Sequence, residues 1–241
     1  VSPVIGAIDR SIENVAKWSA PRNKPNTRVE FMDPFGVRCF IQPQPKGVVL
    51  IISPWNFPVN LTFAPLAGVL SAGNRCMIKP SEYTPQTSAV IAEAIAAEFD
   101  QDEIAVVTGG PGTGADFSGL AFDHLLFTGA TSVAKHVMRA ASENLVPVTL
   151  ELGGKSPVVI GRSADMAPTT DALMAGKMLN AGQICLSPDY VFVPEERMDE
   201  FVESTKSGAN ATEEMTTPPK KSIHKCLATG TLRGCLDRTI N

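Results

Sequence analysis

Three side chains of different chemistry stand far apart along this 241-residue chain. In Gly182-Gln183-Ile184-Cys185, Gly182 is placed to end a helix. Cys185 then falls on a loop, where a thiol can be reached as a nucleophile. The competing reading is a small buried hydrophobe. In Ser53-Pro54-Trp55-Asn56-Phe57-Pro58 two prolines fix the backbone around one amide. An N–H₂ group held rigidly is a good donor to a developing oxyanion; the alternative is an ordinary turn asparagine. In Glu151-Leu152-Gly153-Gly154-Lys155 a carboxylate follows the apolar Val148 and Leu150. It could act as a general base, or be paired with Lys155 or left in solvent.

A second set of residues suits a dinucleotide. Ile78-Lys79-Pro80-Ser81-Glu82 puts an ammonium where it could reach a ribose or phosphate, and three residues later a carboxylate that could accept from ribose hydroxyls. A solvent-facing ion pair between the two fits the spacing equally well. Gly109-Gly110-Pro111-Gly112-Thr113-Gly114 could turn backbone N–H groups toward a phosphate at a helix start. It departs from a strict G-x-G-x-x-G but fits the looser form ending in Ala115. Gly129-Ala130-Thr131-Ser132-Val133-Ala134 also lacks the fingerprint. Each alone reads as a turn; two after successive strands are better evidence for a dinucleotide site.

Elements of matching kind must carry these groups. Val1 to Ala20 has Ile5, Ile8, Ile12, Val15 and Trp18 at helical spacing. Arg28 to Gln44 alternates about Asp33-Pro34-Phe35-Gly36, which predicts a hairpin. From Lys46 onward, strands (47–53, 76–80, 104–109, 123–129, then VPVTLELGG) alternate with helices (61–72, 85–99, 131–141). The short continuous apolar runs are those of buried parallel strands, and the alternation predicts an α/β fold with a doubly wound parallel sheet. Ligands of such sheets bind beyond the C-terminal ends of the strands, where the residues above fall. Further on come a strand at 156–160, a helix from 165 to about 181, a strand at 190–194 and a helix opening at Glu195.

Composition bounds the rest. Apolar residues make up 44% and charged residues 19%, as in globular chains. A net charge of −4 disfavours nucleic-acid binding, and the apolar run Val48 to Ile52 is too short for a membrane span. The chain opens on Val rather than Met and shows no signal peptide. Five scattered cysteines and three histidines form no zinc pattern, so no metal is expected and a reducing cytoplasm is the simplest setting. Lys206 to Asn241 carries +3 against −7 elsewhere, has no aromatic residue and shows no period. It reads as loosely structured, with a structured but atypical tail as the alternative.

In their order and spacing PWNFP, KPSE, FTGAT, ELGGK and GQIC resemble the NAD(P)-dependent aldehyde dehydrogenase superfamily over about Val1 to Thr205. The wording GATSVAKHVMRAASENLVPVTLELGGKSPVVI is most similar to the coniferyl-aldehyde dehydrogenase branch. The resemblance implies a Cys185 thiolate that attacks an aldehyde, an oxyanion held by Asn56 and the Cys185 backbone N–H, hydride passing to a nicotinamide, and Glu151 activating water against the thioester. It implies adenosine-ribose contacts from Lys79 and Glu82, turns at the adenine and pyrophosphate at Gly112 and Gly129, and cofactor contacts from Trp55 and Leu152. Glu82 would disfavour a 2′-phosphate, so NAD is expected over NADP.

The implied layout is an N-terminal helix (1–24), an oligomerisation hairpin (25–45) that would make a homo-oligomer such as a dimer, and a Rossmann-like NAD-binding domain (46–152). The first part of an α/β catalytic domain (153–205) and the atypical tail (206–241) follow. Two departures stand out: Ala134 replaces a usual Gly, and the family's E-x-F-G-P string is absent. The second points to a truncated or frame-shifted fragment. The alternative function is then a catalytically impaired chain that only binds cofactor or joins subunits.

Overall fold

The computed structural model describes residues 2–23 and 40–215. The chain divides after Leu152 into two compact units. In the first, helix α1 (Ser2–Ser19) buries Val4 and Ser11, and the Ser11 hydroxyl donates to the Ala7 carbonyl. Strands β1 (Arg22–Asn23) and β2 (Phe40–Ile41) pair antiparallel, with Arg22 opposite Ile41. The body of the expected hairpin, 24–39, lies outside the described residues.

Five strands follow: β3 (Val48–Ile52), β4 (Arg75–Lys79), β5 (Ile104–Val106), β6 (His124–Gly129) and β7 (Val148–Leu152). All pair in parallel, in the order β5-β4-β3-β6-β7. Helices α2 (Asn60–Ser71), α3 (Pro85–Glu98), α4 (Pro111–Ser118) and α5 (Thr131–Ser142) connect them. Strand β3 shows why the sheet is covered twice. Leu50 and Ile52 pack with Leu125, Phe127, Ala134 and Val137, whereas Ile51 packs on the other face with Leu66, Cys76, Ile78, Ile91 and Ile104. Successive strand side chains point to opposite faces, so a run apolar at every position needs a cover on each. Ala134 in α5 is 1% exposed within the first of these clusters, so its methyl is accommodated between helix and sheet.

Cys76 belongs to the second cluster, and burial pushes its thiol up to about 12. At pH 8 only about one molecule in 10⁴ then carries a Cys76 thiolate. Iodoacetamide applied to the native chain at pH 8 should therefore modify exposed Cys185 and leave Cys76 unlabelled, as read by peptide mass. Equal labelling of the two would contradict the burial.

In the second unit β8 (Ser156–Val159) pairs in parallel with β9 (Pro188–Phe192). Helix α6 (Met166–Met178) packs on α7 (Met198–Met215), with a 2.6 Å hydrogen bond between the Thr170 and Ser204 hydroxyls. The helix expected to reach about residue 181 stops at Met178, because Asn180 and Ala181 take φ of 50° and 56°. Helix α7 continues through 206–215, the first part of the stretch expected to be loosely structured; there the i,i+3 pair of Lys206 with Glu203 spans one turn. Residues 216–241 lie outside the described part. No described helix is long and apolar enough to cross a membrane.

Candidate active site

The strand order places the first candidate. From β3 the sheet grows outward through β4 and β5; the chain then returns to add β6 on the other side of β3. The crevice outside the C-terminal ends of β3 and β6 is thus the topological switch point, the usual ligand position in an open α/β sheet. Asn56 and Trp55 lie on the loop that leaves β3 there. The loop is fixed at both ends. The Ser53 amide donates to the Lys79 carbonyl (3.1 Å), and the Thr62 hydroxyl lies 2.7 Å from the Ser53 hydroxyl and 2.6 Å from the Pro58 carbonyl. The Leu61 amide donates to the Phe57 carbonyl (2.9 Å). Asn56 is half-buried and engaged in a polar contact; Trp55 is exposed.

Lys79 and Glu82 form an ion pair of 2.5 Å. It is not the solvent-facing pair that spacing alone allowed: the Lys79 side chain is 4% exposed and that of Glu82 27%. The Lys79 stem runs beside Gly114 in α4. Burial works to raise the Glu82 carboxyl. The hydrogen bond from Lys79, the Glu82 backbone amide and the Lys79 charge outweigh it and hold the group below its ordinary value.

A carboxylate so lowered stabilises the fold fully above its unfolded value of about 4.3, and that contribution is lost as pH falls through the lower folded value. Glu82→Gln leaves the Lys79 ammonium buried without its partner. We expect a loss of about 2 kcal/mol at pH 7 by denaturant titration, shrinking as pH drops below about 4. An equal loss at both pH values would refute the linkage.

Beside this pair opens a cleft of about 270 Å³, lined by Pro80, Ser81, Glu82, Pro85, Ser88, Ala89, Thr108 and Gly109. Three latches shape its floor. The Ser88 hydroxyl donates to the Ser81 carbonyl (2.9 Å), the Ser88 amide to the Thr84 carbonyl (2.9 Å) and the Tyr83 amide to the Ser81 hydroxyl (3.2 Å). Flat apolar walls of proline and alanine, with a carboxylate at the lip, fit an adenosine moiety. Sequence reasoning missed Pro85, Ser88, Ala89 and Thr108, which meet only when α3 folds back onto β5. Gly112 is in the first turn of α4, where the fixed φ of Pro111 starts the helix that the Gly-rich segment could offer to a phosphate.

Gly129 ends β6 rather than forming a turn, and a Cβ there would strike the Phe127 ring. On the neighbouring edge strand β7, Glu151 is opposite Thr128 and Leu152 opposite Gly129. Glu151 is exposed, Leu152 half-buried. Asn56, Lys79, Glu82, Gly129, Glu151 and Leu152 therefore share the C-terminal edge of one sheet.

Cys185 belongs to the second unit. After α6, Asn180, Ala181 and Gly182 all adopt positive φ, the last at 78°. This left-handed turn costs free energy at the two residues that have a Cβ. It reverses the chain, and Gln183 donates back to the Asn180 carbonyl (3.1 Å). A tight turn follows, closed by the Ser187 amide on the Ile184 carbonyl (3.1 Å), with exposed Cys185 at its second position. The Cys185 carbonyl accepts from the Gly154 amide (3.2 Å). Lys155 pairs with Asp189 (3.4 Å), not with Glu151 as one sequence reading had it.

Comparison with known proteins bears on the arrangement. A family model described as "Aldehyde dehydrogenase family" matches residues 4–222. A protein named "Probable coniferyl aldehyde dehydrogenase" from Caulobacter vibrioides is 59% identical over 210 residues, which are 87% of this chain and 43% of that one. "Coniferyl aldehyde dehydrogenase" from a Pseudomonas species is 56% identical over 198 residues, 82% and 40% respectively. The substrate-bound structure of Staphylococcus aureus AldH superposes with a TM-score of 0.84 at 36% identity, covering 92% of this chain and 47% of that one. An aldehyde dehydrogenase of Mycobacterium tuberculosis complexed with NAD+ gives 0.75 at 30% identity, covering 87% and 42%. The chain spans less than half the length of the relatives it matches.

Proposed function

Since this chain belongs to the aldehyde dehydrogenase family, we propose that it serves the oxidation of an aldehyde to a carboxylic acid with NAD(P), Cys185 being the nucleophile. The observation that carries the reading is the contrast between two thiols: Cys76 is buried in the sheet core, while Cys185 is exposed on a tied, left-handed loop. The sulfur forms a bond to the carbonyl carbon, and the C=O electron pair moves to oxygen. The Asn56 side-chain amide and the Cys185 backbone N–H donate to that oxyanion. Neutral donors stabilise the developing charge without forming a trapped ion pair. A nicotinamide, when bound, would supply the acceptor for the hydride from that carbon, and Cys185 would then carry the acyl group as a thioester. Glu151 takes a proton from water as the water attacks the thioester; the acid departs and the thiolate is restored.

For the cofactor, the 80–89 cleft suits the adenosine moiety, with Lys79 and Glu82 toward the ribose, and Trp55, Gly112, Gly129 and Leu152 along the rest. A carboxylate at the lip repels a 2′-phosphate, which supports NAD over NADP. The relatives' names make coniferyl aldehyde the first substrate to try. The scattered cysteines support a reducing cytoplasmic setting. The antiparallel pairing of β1 with β2 supports subunit association.

A second reading is a chain that binds cofactor or joins subunits without turnover. The purified chain with NAD and coniferyl aldehyde decides between them. Growth of NADH absorbance supports oxidation. Absence of NADH, with NAD binding still measured by calorimetry, supports the second reading.

A further inference from the structure

The loop bearing Cys185 carries unfavourable features that something must offset. Asn180 and Ala181 are left-handed although each has a Cβ. The Ser187 side-chain hydroxyl, on a residue only 7% exposed, has no hydrogen-bond partner among the described residues. Strained and unsatisfied groups persist only where their surroundings over-determine them. Two ties hold the loop and its exit to the segment before β8: the Gly154 amide on the Cys185 carbonyl (3.2 Å) and, one residue on, the Lys155 ammonium on the carboxylate of Asp189 (3.4 Å), which lies in β9 just after the loop.

We propose that the Lys155–Asp189 pair, with Lys177 of α6 alongside, is a positioning device that holds the Cys185 loop in its strained form. The role given to Cys185 rests on the function proposed above. The pair is half-sheltered, with the Asp189 side chain 16% exposed and that of Lys155 57%, and the Asp189 charge also acts on the Lys177 ammonium, so it carries more than the usual slight weight of a surface ion pair. Lys177 reports that environment. Burial, and then the Lys155 charge, lower its pKa, while the Asp189 charge works against them and the net direction is down. Without Asp189, two neighbouring cations would repel across the base of the loop.

Amide exchange followed by NMR in the whole chain tests this. Asp189→Asn and Lys155→Gln should each speed exchange of the Gly154 and Ser187 amides by about fivefold, with the β3 and β6 amides unchanged. Lys155→Arg, which keeps the charge pair, should stay within about twofold of wild type. The double variant Lys155→Gln/Asp189→Asn should be no faster than Asp189→Asn alone, because both changes remove one interaction. Unmoved amides in both single variants, an Arg variant as fast as the Gln variant, or effects that multiply in the double variant overturn the proposal. The amides report without substrate, cofactor or thiol. Failure of the nucleophile assignment, seen as aldehyde turnover surviving in Cys185→Ala, is therefore read separately.

Discussion

In the Cys185→Ala variant, aldehyde-dependent NADH formation falls by on the order of 10⁴-fold or more, while the protein keeps its fold and its affinity for NAD. The size follows from what is removed. A thiolate divides the oxidation into two easier steps, and the alanine methyl has no group for covalent attack. Stability changes little, because Cys185 is exposed and contributes nothing to either apolar cluster. Cys76→Ala provides the opposite control: it touches the core and leaves turnover per folded molecule unchanged. Steady-state absorbance of the two variants beside wild type reads the contrast. Retained turnover in Cys185→Ala removes the covalent mechanism altogether.

Glu151→Gln should leave the first half of the reaction and stop the second. Removing a general base costs about 10² to 10⁴ in rate, and here the loss falls on hydrolysis of the thioester. Rapid mixing with NAD and aldehyde should give a burst approaching one NADH per chain, followed by a slow phase. The Cys185 peptide should gain the mass of the acyl group. Glu151 is exposed at the end of an edge strand, so the amide isostere should be tolerated by the fold. A full-rate steady state, or a burst without acylated Cys185, would assign the base elsewhere.

Helix α4 and the cleft residues show where sequence reading stops. Each buried strand was legible because VVLII, with apolar side chains on both faces, has no other stable placement than between two layers. The strand ends were legible because loops there interrupt apolar runs with Pro, Asn, Lys and Glu. Helix α4 was not: Pro-Gly-Thr-Gly has the composition of a turn, and only the fixed φ of Pro111 with packing behind it makes a helix. The 80–89 cleft was legible at Pro80, Ser81, Glu82 and Gly109, but Pro85, Ser88, Ala89 and Thr108 come from α3 and from the end of β5.

By itself, the order of residues along this chain determined the parallel α/β sheet and its helix alternation, and it singled out the thiol, amide and carboxylate proposed for the chemistry. Hydrophobic period and local backbone preference are carried by neighbouring residues. The tertiary structure alone decided that Lys79 is buried against Glu82, that Lys155 takes Asp189 as its partner, and that Asn180 and Ala181 turn left-handed before Cys185. Pairing, burial and strain depend on groups distant in the chain, and no local pattern encodes which of several possible partners folding brings within reach.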